Sequence, residues 1–186
     1  MLTHRQQSFI ATLWFGNRPV NTLGTLLGKP AWVNWLGLAV TAPYLVGTIR
    51  NDSAMLSCQA GLTHQAMKFY FRHTPSGYNL YVREPGEHFG KALVAYDDVY
   101  LGLMASAVNT PSSLTLCKPN GSPASYADLV TGMNLIGLAF NGGRICRGQR
   151  HNSAFEYLAA KENSTQLWIL KVLEHNVPWL SSPNEV

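Results

Sequence analysis

The chain of 186 residues is long enough for one domain whose core needs no disulfide or metal to hold it together. Only 13% of its residues are charged while 46% are apolar, a balance typical of β-rich proteins that are secreted, assembled into complexes or associated with membranes. The whole net charge of +4 lies before Asp52, the first acidic residue, so residues 1–50 would be attracted to an anionic membrane surface. This basic density is too thin for the clustered stripe that nucleic-acid binding needs, which argues against that class.

The first 43 residues differ from the rest and are predicted to form a Trp-rich, acid-free extension. Residues 9–15 are an apolar run too short for a good secretory signal. Trp32 and Trp35 begin a 3-4 spacing that predicts a short helix ending before Pro43. Residues 30–49 carry no formal charge, which leaves a membrane span as an alternative, although Pro43 would interrupt it.

From residue 44 to residue 176 the chain consists of short apolar or alternating runs separated by turn-forming residues, and residues 177–186 form a tail. This spacing predicts about eleven short strands in a sandwich, a barrel or a trefoil. The predicted strands cover residues 44–49, 53–58, 67–71, 78–82, 92–96, 100–105, 113–117, 134–140, 143–146, 155–160 and 166–172. Only residues 125–133 have a local helical pattern, with Ser125 as the cap.

Three segments of this body align with one another, covering approximately residues 44–74, 76–121 and 132–174. Each ends in a strand in which a small or amide residue stands two positions before a large apolar one. The last of these endings, Gln166, Leu167 and Trp168, resembles the Gln-x-Trp signature of β-trefoil domains of the ricin-B lectin type. The resemblance implies a β-trefoil whose three lobes share one core. A β-sandwich or jelly roll is the alternative for the same strands.

The polar residue and the aromatic residue of this signature have separate expected roles. Trp168 is expected to face the core, because a large aromatic residue in an alternating strand is mostly buried. Gln166 is expected to bond the backbone of a neighbouring hairpin rather than a sugar.

A sugar site needs carboxylate or amide acceptors for hydroxyl groups beside an aromatic face for the C–H side of the ring. Asp97, Asp98 and Tyr100 supply that combination in the second segment, in the place where the resembling lectins carry an Asp and a loop aromatic. Tyr157 and Asn163 are the candidates in the third segment. The alternative is an ordinary hairpin turn that contains two Asp residues.

Arg144, Arg147 and Arg150 form the densest basic cluster in the chain. They predict an anion site for sulfate, phosphate or a glycan that carries a carboxylate. Strand alternation keeps the three side chains off a single face, so a solvated loop is the alternative.

No catalytic or metal-binding motif is present, and we predict neither a cofactor nor a metal. Cys58, Cys117 and Cys146 lack ligand spacing and are expected to be buried thiols, with one disulfide and one free thiol as the alternative in an exported protein. Glu87 and His88, on a Pro-Gly turn, would be the first residues to test in an enzyme, but a solvated turn is the simpler interpretation.

These patterns favour a non-catalytic recognition module that binds a glycan or a protein partner through its hairpin loops. Two alternatives remain open. One is a structural subunit of a larger assembly that docks through its N-terminal segment. The other is a membrane-active, toxin-like protein.

Overall fold

A computed structural model describes residues 2–34, 49–97, 99–105 and 112–177, and these residues are mainly β. Within these ranges the helical content is one short helix, α1 (Leu23–Leu27), and two 3-10 turns at Arg5–Gln7 and Tyr126–Asp128. The strands in chain order are β1 (Phe9–Phe15), β2 (Arg18–Pro19), β3 (Asn21–Thr22), β4 (Trp32–Asn34), β5 (Ile49–Asn51), β6 (Leu56–Ser57), β7 (Lys68–Thr74), β8 (Gly77–Val82), β9 (Ala92–Tyr96), β10 (Tyr100–Met104), β11 (Ser113–Cys117), β12 (Gly132–Phe140), β13 (Gly143–Gln149), β14 (Glu156–Lys161) and β15 (Trp168–His175).

Nine strands form a closed antiparallel barrel. Their order around the ring is β12, β13, β14, β10, β9, β8, β7, β1 and β15, and the pairing of β15 with β12 closes it. Strand β11 pairs with both β12 and β8, which are not neighbours in the ring. Two small two-stranded sheets, β3 with β6 and β4 with β5, lie outside this ring.

The prediction of a β-trefoil with an N-terminal helical extension is wrong, and the closed ring excludes the two-sheet sandwich as well. The strands pair around one ring instead of forming three lobes of four. Strand β1, from the segment expected to be an extension, pairs with β7 and β15 and is part of the barrel wall. Turn-forming residues mark where a chain reverses, but they do not determine which distant strands pair, so trefoil and barrel share the same sequence pattern.

The described start of the predicted helix, at Trp32, is strand and not helix. Trp32 lies in β4, which pairs with β5, while positions 35–43 and most of the predicted strand at residues 44–49 lie outside the described residues. In the described part of the chain, no helix has the length and apolar character needed to cross a membrane.

The barrel interior is filled by side chains that alternate along the strands. In β7, Phe69 and Phe71 belong to the main core, whereas Tyr70 packs in a second cluster that includes Val177. Trp168 is fully buried, and its indole N–H donates to the Ile145 carbonyl oxygen over 2.9 Å, so its predicted inward orientation is confirmed.

The prediction for Gln166 is also confirmed, since its Oε1 accepts a hydrogen bond of 3.3 Å from the backbone N–H of Arg147 in β13. The helix expected at residues 125–133 is reduced to one 3-10 turn. There the backbone N–H and the hydroxyl of Ser125 both donate to Asp128 Oδ2, over 2.8 and 2.9 Å. The cysteines are free thiols: Cys58 and Cys146 are buried, and Cys117 is half-buried.

Candidate functional site

An open cleft of about 200 Å³ lies beside the barrel wall and is lined by polar and aromatic side chains. Arg50 comes from β5, and Asp97 and Tyr100 come from the hairpin that joins β9 to β10. Arg150 and His151 follow the end of β13. Three separate stretches of the chain therefore meet at this point.

The buried side chain of Asp52 links two of these stretches, those of Arg50 and Arg150. Its Oδ1 accepts hydrogen bonds from Arg50 Nε over 2.7 Å and from Arg150 Nη1 over 3.4 Å, and its Oδ2 accepts from the Tyr157 hydroxyl over 2.6 Å. Only 2% of Asp52 is exposed. A buried carboxylate with three donors is fully satisfied, so Asp52 positions the cleft and does not itself meet a ligand.

Arg150 connects this buried carboxylate to the rim. Its guanidinium also donates to Asp97 Oδ2, and it lies 4.9 Å from the centre of the Tyr100 ring and 6.0 Å from that of Tyr157. The Arg150 side chain is 8% exposed, whereas that of Asp97 is 68% exposed. Arg150 is therefore a fixed support, and Asp97 is the carboxylate available at the surface.

Tyr157 keeps its proton in this environment. Burial, followed by the hydrogen bond to Asp52, raises its pKa to about 12, so the neutral phenol donates to the carboxylate at physiological pH. The Ser153 and Tyr157 hydroxyl oxygens are 2.6 Å apart. On the neighbouring strand, the Tyr100 hydroxyl donates to the Gln149 carbonyl oxygen over 3.0 Å, which fixes that ring at the rim.

Among the described residues, the charges of the cleft cancel. Arg50 and Arg150 carry the two positive charges of the network. Asp52 and Asp97 carry the two negative ones. Arg50 Nη2 has no hydrogen-bond partner among the described residues. The cleft therefore combines an exposed carboxylate, a guanidinium group and the Tyr100 ring without a net charge that would select an anion.

The structure brings together residues that were predicted from the sequence to belong to separate sugar-binding and anion-binding sites. The residues brought together are Asp97, Tyr100, Tyr157 and Arg150. Asp98 lies outside the described residues, and Asn163 is exposed in the turn after β14, at the opposite end of that strand from Tyr157. Asp52 was not assigned to the site, because a separation of 98 residues from Arg150 leaves no local sequence signal.

The other two predicted anion-binding arginines lie elsewhere. Arg144 donates from Nη2 to the Lys118 carbonyl oxygen over 3.4 Å. Arg147 pairs with Glu156 over 3.3 Å and lies 4.3 Å from the centre of the Phe15 ring. The three arginines thus do not form one anion site.

Glu87 and His88 border two further clefts, of about 430 and 210 Å³, which are larger than or similar to the first. His88 Nδ1 lies 3.0 Å from Lys91 Nζ, and because an ammonium group only donates, this bond requires Nδ1 to be unprotonated. Nε2 then carries the proton and faces Thr22 Oγ1 at 3.4 Å. Burial and the Lys91 charge lower the pKa of His88, and its one basic nitrogen is occupied, so this geometry links the loop to α1 rather than forming an acid–base site.

Within the described residues, no group of three or more His, Cys, Asp or Glu side chains is arranged to hold a metal ion. Comparison of the chain with protein-family models, with curated proteins and with solved structures finds no match. These comparisons do not test the resemblance of the Gln166–Trp168 segment to the lectin signature, although the fold that the resemblance implied is wrong.

Proposed function

We propose that the protein is a non-catalytic recognition module that binds a glycan in the cleft beside Asp97, Tyr100 and Arg150. The observation that carries this proposal is the convergence of Asp97 and Tyr100 on Arg150, which the buried carboxylate of Asp52 holds in place. Because the fold is not a trefoil, the proposal rests on this geometry and not on the lectin resemblance.

The chemistry of the cleft suits a sugar ring. The exposed Asp97 carboxylate can accept hydrogen bonds from sugar hydroxyl groups, and the Tyr100 ring offers an apolar surface to the C–H side. Buried hydrogen bonds to Asp52 fix the supporting side chains before the ligand arrives, which lowers the entropy cost of binding. The balanced charges favour a neutral sugar over sulfate or phosphate.

Glycan arrays followed by titration calorimetry test the proposal. Asp97→Asn is the sharpest variant, because Asp97 has a φ of 51° and Asn tolerates that left-handed conformation better than most residues. We expect binding to weaken about tenfold or more, since a charge-assisted hydrogen bond is lost. Asn163→Ala, in an exposed turn far along β14, is the matched control and should bind as the wild type does. A folded wild-type protein that binds no glycan, or full affinity in Asp97→Asn, would contradict the proposal.

Docking of the N-terminal segment to a protein partner stays a second proposal, supported by two exposed apolar side chains on the β4–β5 pair. Trp32 is 60% exposed and Ile49 is 43% exposed, and exposed Trp residues are frequent anchors of protein interfaces.

Membrane action has no comparable support among the described contacts. Co-sedimentation with anionic and neutral vesicles tests the membrane-active alternative. Binding that requires anionic lipid and is lost in Trp32→Ala would support that alternative.

A further inference from the structure

We propose that the outer face of the barrel wall at β1, β15 and β12 is the surface through which two copies of this chain form a symmetric dimer. The lining of the glycan cleft comes from other parts of the chain, so this proposal does not depend on the proposed function. It follows from an exposed apolar stripe on the wall and from a β-bulge that brings two opposite charges onto the same face.

The apolar stripe runs across three neighbouring strands. In the register of the sheet, Leu135 of β12 lies beside Ile169 of β15, and Ile169 lies beside Trp14 of β1. The residues that alternate with them along each strand belong to the main core, so this row points away from it. Four of the nine large apolar side chains that are exposed in the described part of the chain lie on or beside this row, so they form a patch typical of an interaction site rather than a scatter of single residues: Val130, Met133, Leu135 and Leu173.

A β-bulge in β15 brings a positive and a negative side chain onto this outer face. Lys171 pairs with Thr12 of β1, and Glu174 pairs with Ile10, two positions away on the same face of β1. In a regular strand, residues three apart point to opposite faces of the sheet. The bulge adds Leu173 between the two charged residues and so turns Glu174 outward, about 7 Å along the strand from Lys171. Leu173 itself is 39% exposed.

The two charges make this surface complementary to itself. A two-fold axis that crosses β15 at Leu173 turns the strand of the second copy antiparallel to that of the first. Lys171 of each copy then faces Glu174 of the other, and the exposed apolar side chains beside them meet across the interface. A face with charge of one sign would repel its own copy, whereas this arrangement attracts it. Use of one patch by both subunits is the rule for two-fold dimers.

The size of the stripe determines how strong the dimer is. Three neighbouring strands about 4.8 Å apart, over the roughly seven residues that they share, present about 350 Å² of wall. A standard stable interface buries about 800 Å² on each partner. The dimer should therefore be reversible and should dissociate as the protein is diluted.

Sedimentation velocity of the full chain over a hundredfold range of concentration tests the proposal, and we expect the average mass to rise from monomer to dimer. Lys171→Glu and Glu174→Lys should each raise the dissociation constant of the dimer about tenfold or more, because each variant places like charges opposite one another twice in the symmetric interface. The double variant Lys171→Glu/Glu174→Lys exchanges the two charges and should restore dimerisation to the level of the wild type.

Met133→Ser removes a side chain that is 74% exposed in the stripe, and it should also weaken the dimer. Leu62→Ser is the matched control, because Leu62 is 79% exposed beside α1 and its loss should leave dimerisation unchanged. All four positions are exposed, so the variants should fold, and near-ultraviolet circular dichroism verifies this. A chain that stays monomeric at every concentration, or a double variant that dimerises no better than the single ones, overturns the proposal. A monomer that binds phosphatidylcholine vesicles through Met133 also overturns it, because the stripe would then face a membrane.

Discussion

Asp52 shows why single residues of the cleft escaped sequence-based prediction. Asp97 and Tyr100 stand three positions apart, so their proximity is visible in the sequence, and Tyr157 and Arg150 were each identified by residue type. Asp52, the partner of Arg150 and Tyr157, could not be identified, because it follows β5 in the small β4–β5 sheet and stands 98 residues before Arg150, so no local pattern links the two. The types of residue in the cleft could be predicted from the sequence. The contacts between them depend on the three-dimensional fold and could not.

Tyr157→Phe tests the role of Asp52 as the support of the cleft. Removing the hydroxyl leaves Asp52 Oδ2 buried without its donor, and we expect the free energy of unfolding to fall by about 2–3 kcal/mol. Urea denaturation measures this. Tyr100→Phe is the comparison, because its hydroxyl bonds an exposed carbonyl and should cost less than about 1 kcal/mol. Equal losses in the two variants would contradict a supporting role for Asp52.

Cys58 should be inert to alkylation in the folded protein. Burial raises its pKa from 9.0 to about 12, so almost no thiolate exists at pH 8. Mass spectrometry after iodoacetamide treatment should find Cys58 unmodified until denaturant is added. The folded state holds this proton more tightly than the unfolded state, so stability should fall as pH rises above 9.0 towards 12. Rapid labelling at pH 8 without denaturant would contradict this prediction.

Among the elements, the strands were predictable and their partners were not. Predicted strands at residues 92–96 and 113–117 coincide with β9 and β11, because turn-forming residues bound each run. The run at residues 9–15 has the composition of a strand and is followed by the turn residues Gly16 and Asn17, but it was assessed only as a secretory signal, which concealed β1. Local patterns thus identify strands, while ring order depends on pairings between residues far apart in the chain.

Glycine substitutions can separate turn strain from strand pairing. Gly77 and Gly86 have nearly the same left-handed φ, 131° and 133°, so Ala strains the backbone similarly at both. At Gly77 a Cβ would also overlap the Leu114 carbonyl oxygen in the β8–β11 pair, whereas at Gly86 it meets open space. We expect Gly77→Ala to lower the free energy of unfolding by about 2 kcal/mol more than Gly86→Ala, measured in urea. Equal losses of unfolding free energy in the two variants would show that the backbone of β11 imposes no extra steric constraint at Gly77.

At the level of the whole molecule, closure of the ring depends on β1. This strand pairs with β15 on one side and with β7 on the other, and it contributes Phe9, Ala11 and Leu13 to the main core. Without it, two strand edges and part of the core would be open to water, a state that favours aggregation. Any role for the N-terminal segment in docking must therefore be compatible with β1 remaining in the barrel wall.

Truncation tests this dependence directly. Deleting residues 2–15 should abolish cooperative urea unfolding and yield an insoluble or molten product, because the antiparallel ring cannot close between β7 and β15. Deleting only residues 2–7 removes the first 3-10 turn and the contact of His4 with His73 but spares β1, so cooperative unfolding should persist at reduced stability. Near-ultraviolet circular dichroism and urea titration distinguish the two products. A soluble, cooperatively unfolding protein after the longer deletion would mean that β15 and β7 can pair directly, and that the barrel does not need its first strand.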